Sequence, residues 1–138
     1  MKLPKDIPIF GDVNYRGDCR KEDAEQIEFV DWLKFNYPDY HRVFIHPKNE
    51  GNKNYRQINK DLRMGSLNPG ASDCVIPGNP TFVIELKQVD HTESTITNKQ
   101  LDYLRASQKL GCFVGIALGA EALKEAFLLW LDMQNEGK

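Results

Sequence analysis

Two short apolar runs, residues 73–76 and 81–86, are separated only by Pro77-Gly78-Asn79-Pro80, a breaker cluster that suits a tight reversal. That spacing predicts two antiparallel neighbours. Strand side chains alternate between faces, so Glu85 and Lys87 share one face of the second run while Ile84 and Leu86 take the other. The hairpin can then bring Asp73 beside them. Two carboxylates meeting at a strand edge make a hard oxygen site of the kind magnesium prefers, with water and substrate phosphate filling the remaining positions. A lysine alongside can hold a phosphate, or orient or deprotonate an attacking water. Taken alone, Glu-x-Lys also fits a cross-strand ion pair on a solvated sheet face. The upstream Gly70-Ala71-Ser72-Asp73 and the order of elements around it favour the chemical reading.

The rest of the chain supplies that order. Residues 1–20 carry Pro, Gly and mixed charge without a period and read as an irregular amino-terminal arm, leaving 21–138 as a single domain. From Lys21, Ala24, Ile27, Val30 and Leu33 recur in three-residue steps, with Phe29 and Trp32 widening the stripe, and Pro38 closes a first helix. Residues 42–46 read as a short strand, 47–54 as a polar turn and 55–64 as a basic helix. Thr97 is placed to cap a helix carrying Leu101, Leu104 and Leu110, which Gly111 ends. A strand over 112–118 and a last helix over 121–134 complete the pattern, and Trp32 and Trp130 fall on core stripes. The predicted fold class is α/β, a mixed β-sheet flanked by helices.

Composition narrows the options without choosing among them. With 138 residues, 41% of them hydrophobic, the chain can bury one real core, and its apolar runs are too short to span a bilayer. The expected setting is cytoplasmic, with no membrane partner. Cys19, Cys74 and Cys112 form no C-x-x-C pair and read as free thiols. The net charge of −2 hides an uneven distribution, because Arg42, Lys48, Lys53, Arg56, Lys60 and Arg63 face only Glu50 and Asp61 in the same stretch. Beside a phosphodiester site, that run suits contacts to a nucleic-acid backbone.

Together these residues resemble the virus-type replication-repair nuclease (VRR-NUC) family of the PD-(D/E)XK superfamily, over about residues 22–131. The matching positions are Glu25-Gln26 with Trp32, His46-Pro47-Lys48-Asn49, residues 62–65 leading to Gly70 and Asp73, Glu85-Leu86-Lys87, and Thr97-Asn98-Lys99-Gln100. One departure is Ser72, where the family usually has Pro. The resemblance implies a restriction-endonuclease-like core and a Mg2+-dependent DNA endonuclease, with Mn2+ as substitute and no small-molecule cofactor. Asp73, Glu85 and the Leu86 carbonyl would bind the metal, and Lys87 would be the catalytic lysine. Glu25 would contribute from the first helix, with Glu22 or Glu28 as alternatives, and Gln100 would stand near the site. His46, Lys48, Asn49, Lys53, Arg56, Lys60, Arg63 and Lys99 would face nucleic acid. A homodimer acting on branched or junction DNA in phage replication, repair or recombination is the implied setting. Two rival readings remain, a sequence-reading restriction-type enzyme and a non-catalytic nucleic-acid-binding module on the same fold. The chain shows no dedicated groove-reading motif.

Overall fold

A computed structural model describes residues 1–47, 54–66 and 68–136. Its centre is a four-stranded mixed sheet built from β1 (Ile9–Phe10), β2 (Cys74–Ile76), β3 (Phe82–Lys87) and β4 (Phe113–Leu118), in the order β1-β4-β3-β2. The 77–80 segment joins β2 and β3 as antiparallel neighbours, as the spacing predicts, whereas β4 runs parallel to both β3 and β1. A parallel partner needs a crossover, and α4 (Asn98–Lys109) supplies it between β3 and β4.

Alternation along β3 divides the core in two. Phe82, Ile84 and Leu86 pack with Phe29 and Leu33 of α1 (Glu22–Asn36) and with Ala126, Phe127 and Trp130 of α5 (Ala120–Glu136). Val83 faces the other way, joining Val114, Ile116 and Leu104 under α4. Glu85 and Lys87 belong to this second face by the same alternation. Every residue of β3 is buried, so both charges sit inside the protein rather than on a solvated sheet face.

Three expectations are corrected. Residues 42–46 do not form a strand: Pro38 opens a further helix, α2 (Pro38–Val43), because its fixed φ suits the first helical position. Only Ile45 remains to bridge β2, through two backbone hydrogen bonds to Val75. The amino-terminal arm is not wholly irregular, since its β1 extends the sheet and Ile7 enters the core beneath α4. The buried face of α1 follows Glu25, Phe29 and Leu33 in four-residue steps, leaving Ile27 62% exposed. The basic helix α3 (Tyr55–Met64) forms as expected, capped by Asn54 and ended by Gly65 at a φ of 77°. Cys74 is buried, Cys19 and Cys112 are half-buried, and all three are free. No helix among the described residues is long and apolar enough to cross a membrane.

Candidate active site

The hairpin register places the site. Cys74 pairs with Ile84, so Asp73, one residue earlier, stands opposite Glu85, one residue later. Asp73 lies just beyond the end of β2, and its Oδ2 accepts the Leu86 N–H at 2.9 Å. Leu86 sends its side chain into the core but lines the cleft, so it shows the cleft its backbone. A strand residue directs its N–H and C=O to the same side, which puts the Leu86 carbonyl on the Asp73 side.

Glu85 and Lys87 are 1% and 3% exposed, and Lys87 Nζ lies 3.6 Å from Glu85 Oε1. Gln100 joins them: its Nε2 donates to Glu85 Oε1 at 3.2 Å, and its Oε1 accepts from Lys87 Nζ at 3.4 Å. The same Oε1 accepts the Thr97 N–H at 2.9 Å, while Thr97 Oγ1 accepts the Gln100 N–H, completing a capping box at the start of α4. The helix start is therefore tied to the charged pair. Gly70 allows the preceding loop to lie against this helix end, since a Cβ there would overlap the Lys99 carbonyl.

Helix α1 contributes Glu22, not Glu25. Glu22 lines a cleft of about 630 Å³ together with Gln26, His46, Asp73, Leu86 and Gln100. Glu25 is turned to the other side, where its Oε2 accepts the Ala120 N–H at 2.8 Å and Arg20 donates to both its oxygens. Its position is that of an anion at the amino end of α5. Glu28 also lies away from the cleft, held by Arg20 and Lys124. The four-residue step of the buried face explains the correction, because it turns Glu25 inward toward α5 and leaves the first residue of the helix at the cleft.

Electrostatics agree with this grouping. Burial raises the Glu85 carboxyl well above its ordinary value, and the neighbouring Asp73 charge raises it further. Burial also raises Glu22, opposed by the Lys87 charge and a hydrogen bond from Ser94. Glu85 Oε2 is buried without a hydrogen-bond partner. A buried carboxylate oxygen with no donor, next to a second carboxylate, is the donor set a divalent cation would complete. Among the described residues, no three His, Cys, Asp or Glu side chains converge closely enough to form a cage from side chains alone.

The expected nucleic-acid residues divide into four groups. His46 borders the cleft, its Nδ1 donating to the Asp73 carbonyl at 2.7 Å. Arg56, Lys60 and Arg63 lie four and three residues apart on exposed turns of α3, beside a hollow of about 570 Å³. Lys99 lines a further hollow with Leu62 of α3 and Pro69, and Pro69 also lines the cleft. Lys48, Asn49 and Lys53 lie outside the described residues.

No family model matches the chain, and no curated protein does. Among solved structures the fold is similar to that of a VRR_NUC domain protein, with a TM-score of 0.67 and 20% identity, covering 86% of this chain and 92% of that one. At that identity the likeness is one of fold, and it matches the α/β class expected from the sequence.

Proposed function

We propose that this chain is a VRR-NUC-type nuclease that hydrolyses DNA phosphodiester bonds with a divalent metal. The observation that carries the reading is the buried Glu85, its Oε2 unpartnered, with Asp73 opposite and Lys87 Nζ 3.6 Å from its other oxygen. A solvated cross-strand ion pair would not be buried or leave an oxygen without a donor. The fold likeness to a VRR_NUC domain protein supports the same reading.

In this mechanism Asp73, Glu85 and the Leu86 carbonyl hold Mg2+, or Mn2+ in its place. The bound ion would acidify a water and offset the charge that develops on the phosphate. Lys87 brings a positive charge held in place by Glu85 and Gln100, placed to hold a phosphate oxygen or orient the attacking water. Glu22, across the cleft, orients water from the α1 side. His46, Lys99 and the α3 cations hold the backbone of the substrate on either side. By the resemblance to the PD-(D/E)XK superfamily, the products would be 5′-phosphate and 3′-hydroxyl ends.

The described residues of one chain offer one such site, so coordinated cutting of two strands calls for a homodimer. With no groove-reading motif, recognition falls to backbone shape, which favours branched over uniform DNA. The deciding experiment is digestion of labelled linear duplex, flap and four-way junction with Mg2+, Mn2+ or EDTA, with light scattering of the same protein. Metal-dependent cleavage that Glu85→Gln abolishes is expected. Undiminished cleavage by that variant refutes the mechanism, and metal-independent binding without any cleavage leaves a non-catalytic module. A monomer that cuts junction and duplex equally removes the dimer and the shape preference.

A further inference from the structure

Ser94 lies on the loop between β3 and α4, outside every motif that the sequence presents. It is 5% exposed, and its hydroxyl joins two parts of the cleft wall. Oγ accepts the Gln88 N–H at 3.0 Å, and Gln88 directly follows Lys87 at the end of β3. The same Oγ donates to Glu22 Oε1 at 3.1 Å. A hydroxyl has one hydrogen to give, and with a backbone N–H already directed at its lone pairs, that hydrogen goes to the carboxylate.

We infer that Ser94 is a positioning residue for the nuclease reaction, holding the Glu22 carboxylate at the cleft and fixing it to the end of the strand that carries Glu85 and Lys87. The inference rests on the proposed function and on Glu22 as the α1 contribution to it. Glu22 needs such a partner. It is half-buried at the first position of α1, and it faces the repulsion of Asp73 as well as the attraction of Lys87. The residue before it, Lys21, makes no side-chain cap, so no neighbouring side chain on α1 fixes the direction of the Glu22 carboxylate. The loop bearing Ser94 is itself held. The Ser94 N–H donates to the His91 carbonyl, Gln88 Nε2 donates to the Glu93 carbonyl, and the Asp90 carboxylate accepts N–H groups from Gly17 and Thr92. A hydroxyl on a loop fixed at several points can set the direction of a carboxylate on another element.

The test is a cycle of Ser94→Ala, Glu22→Gln and the double variant, read by calorimetric Mn2+ titration without DNA, by kcat and KM on cleaved DNA, and by melting temperature. Loss of the hydroxyl is expected to lower kcat by about 10-fold or more, and to weaken Mn2+ binding through the water that Glu22 orients, the usual cost of removing a partner that supports a metal site. KM should be unchanged, and Ser94→Ala should have no further effect once Glu22 is Gln. Ser94→Thr, which keeps the hydroxyl, should restore most of the loss. Melting temperature separates this from unfolding, since a merely structural serine lowers stability equally in both backgrounds while kcat of the folded protein stays put. Additive losses, or an Ser94→Ala protein with parental Mn2+ affinity and kcat, overturn the inference while the nuclease reading stands. A Glu22→Gln protein with parental metal binding and cleavage overturns both the role of Glu22 and the inference built on it.

Discussion

Glu22 and Glu25 lie one helical turn apart, and exchanging their roles gives opposite outcomes in two assays. Glu25→Ala removes an acceptor from the Ala120 N–H, a buried group 2.8 Å away, and an anion from the start of the 17-residue helix α5. An unsatisfied buried N–H costs about 1–3 kcal/mol. The lost charge at the helix end adds roughly 0.3–1 kcal/mol. The ion pair with Arg20 adds little, because the Arg20 side chain is 51% exposed and water screens it. Together these give a destabilisation of about 1–4 kcal/mol, or a melting temperature lower by roughly 5–15 °C in a domain of this size. Cleavage per folded molecule, measured well below the transition, should remain near the parent value. Glu22→Gln should do the reverse, lowering cleavage by about 10-fold or more while leaving the melting temperature unchanged or slightly higher, since a half-buried charge is removed. Thermal melts and urea titrations, paired with initial cleavage rates at 15–20 °C, decide between them. A Glu25→Ala protein that melts with the parent but fails to cleave would refute the assignment and return Glu25 to the site.

Glu85 predicts a pH signature in metal-free protein. Its carboxyl is held well above the ordinary 4.5 by burial and by Asp73, so its stabilising contribution is full below that value and is lost as pH rises through the folded value. Relative to Glu85→Gln, the parent should therefore lose melting temperature as pH rises from about 4.5, and Mg2+ should recover part of the loss; parallel profiles for the two proteins would contradict this. Gln100→Glu keeps the capping box, because Glu serves there as well as Gln, but sets a carboxylate against Glu85. It should hold the melting temperature to within a few degrees and reduce cleavage strongly, whereas Gln100→Ala should lose on both measures. Neutralising Arg56 and Lys60 should weaken binding to all DNA sequences alike and reduce the salt dependence by about one unit of slope per lost phosphate contact. Unchanged affinity and slope would leave α3 a solvated face.

Legibility in the sequence followed the periodicity of each element. The two-residue repeat of a strand is short and strict, so the sequence placed Glu85, Lys87 and, through the hairpin, Asp73. The cap at Thr97 was readable from its place before the helix pattern, whereas the reciprocal bond from Gln100 and its link to Lys87 were not. Helix α1 was ambiguous because Glu22, Glu25 and Glu28 recur every three residues, and Ile27 on the three-residue stripe lies nearly half a turn round the helix from the buried Phe29. The two-residue β1 has no period to detect. In the segment after Pro38, β-branched and aromatic residues suggested a strand, but the proline's preference for a helix start prevailed. Ser94 sits in a loop between His91 and Thr97, where only tertiary contacts give a hydroxyl its meaning.

The capping box at Gln100 has a consequence for how this protein can change under selection. Selection for thermal stability alone would tolerate Glu at position 100, because either side chain can return to the Thr97 N–H and only the added repulsion from Glu85 counts against it. Selection for turnover would reject Glu, since the position also faces Glu85 and Lys87. A library randomised at residue 100 and sorted separately for heat resistance and for cleavage would thus diverge at one amide-to-acid choice. The ratio of Gln to Glu among the survivors would show which demand a lineage had met.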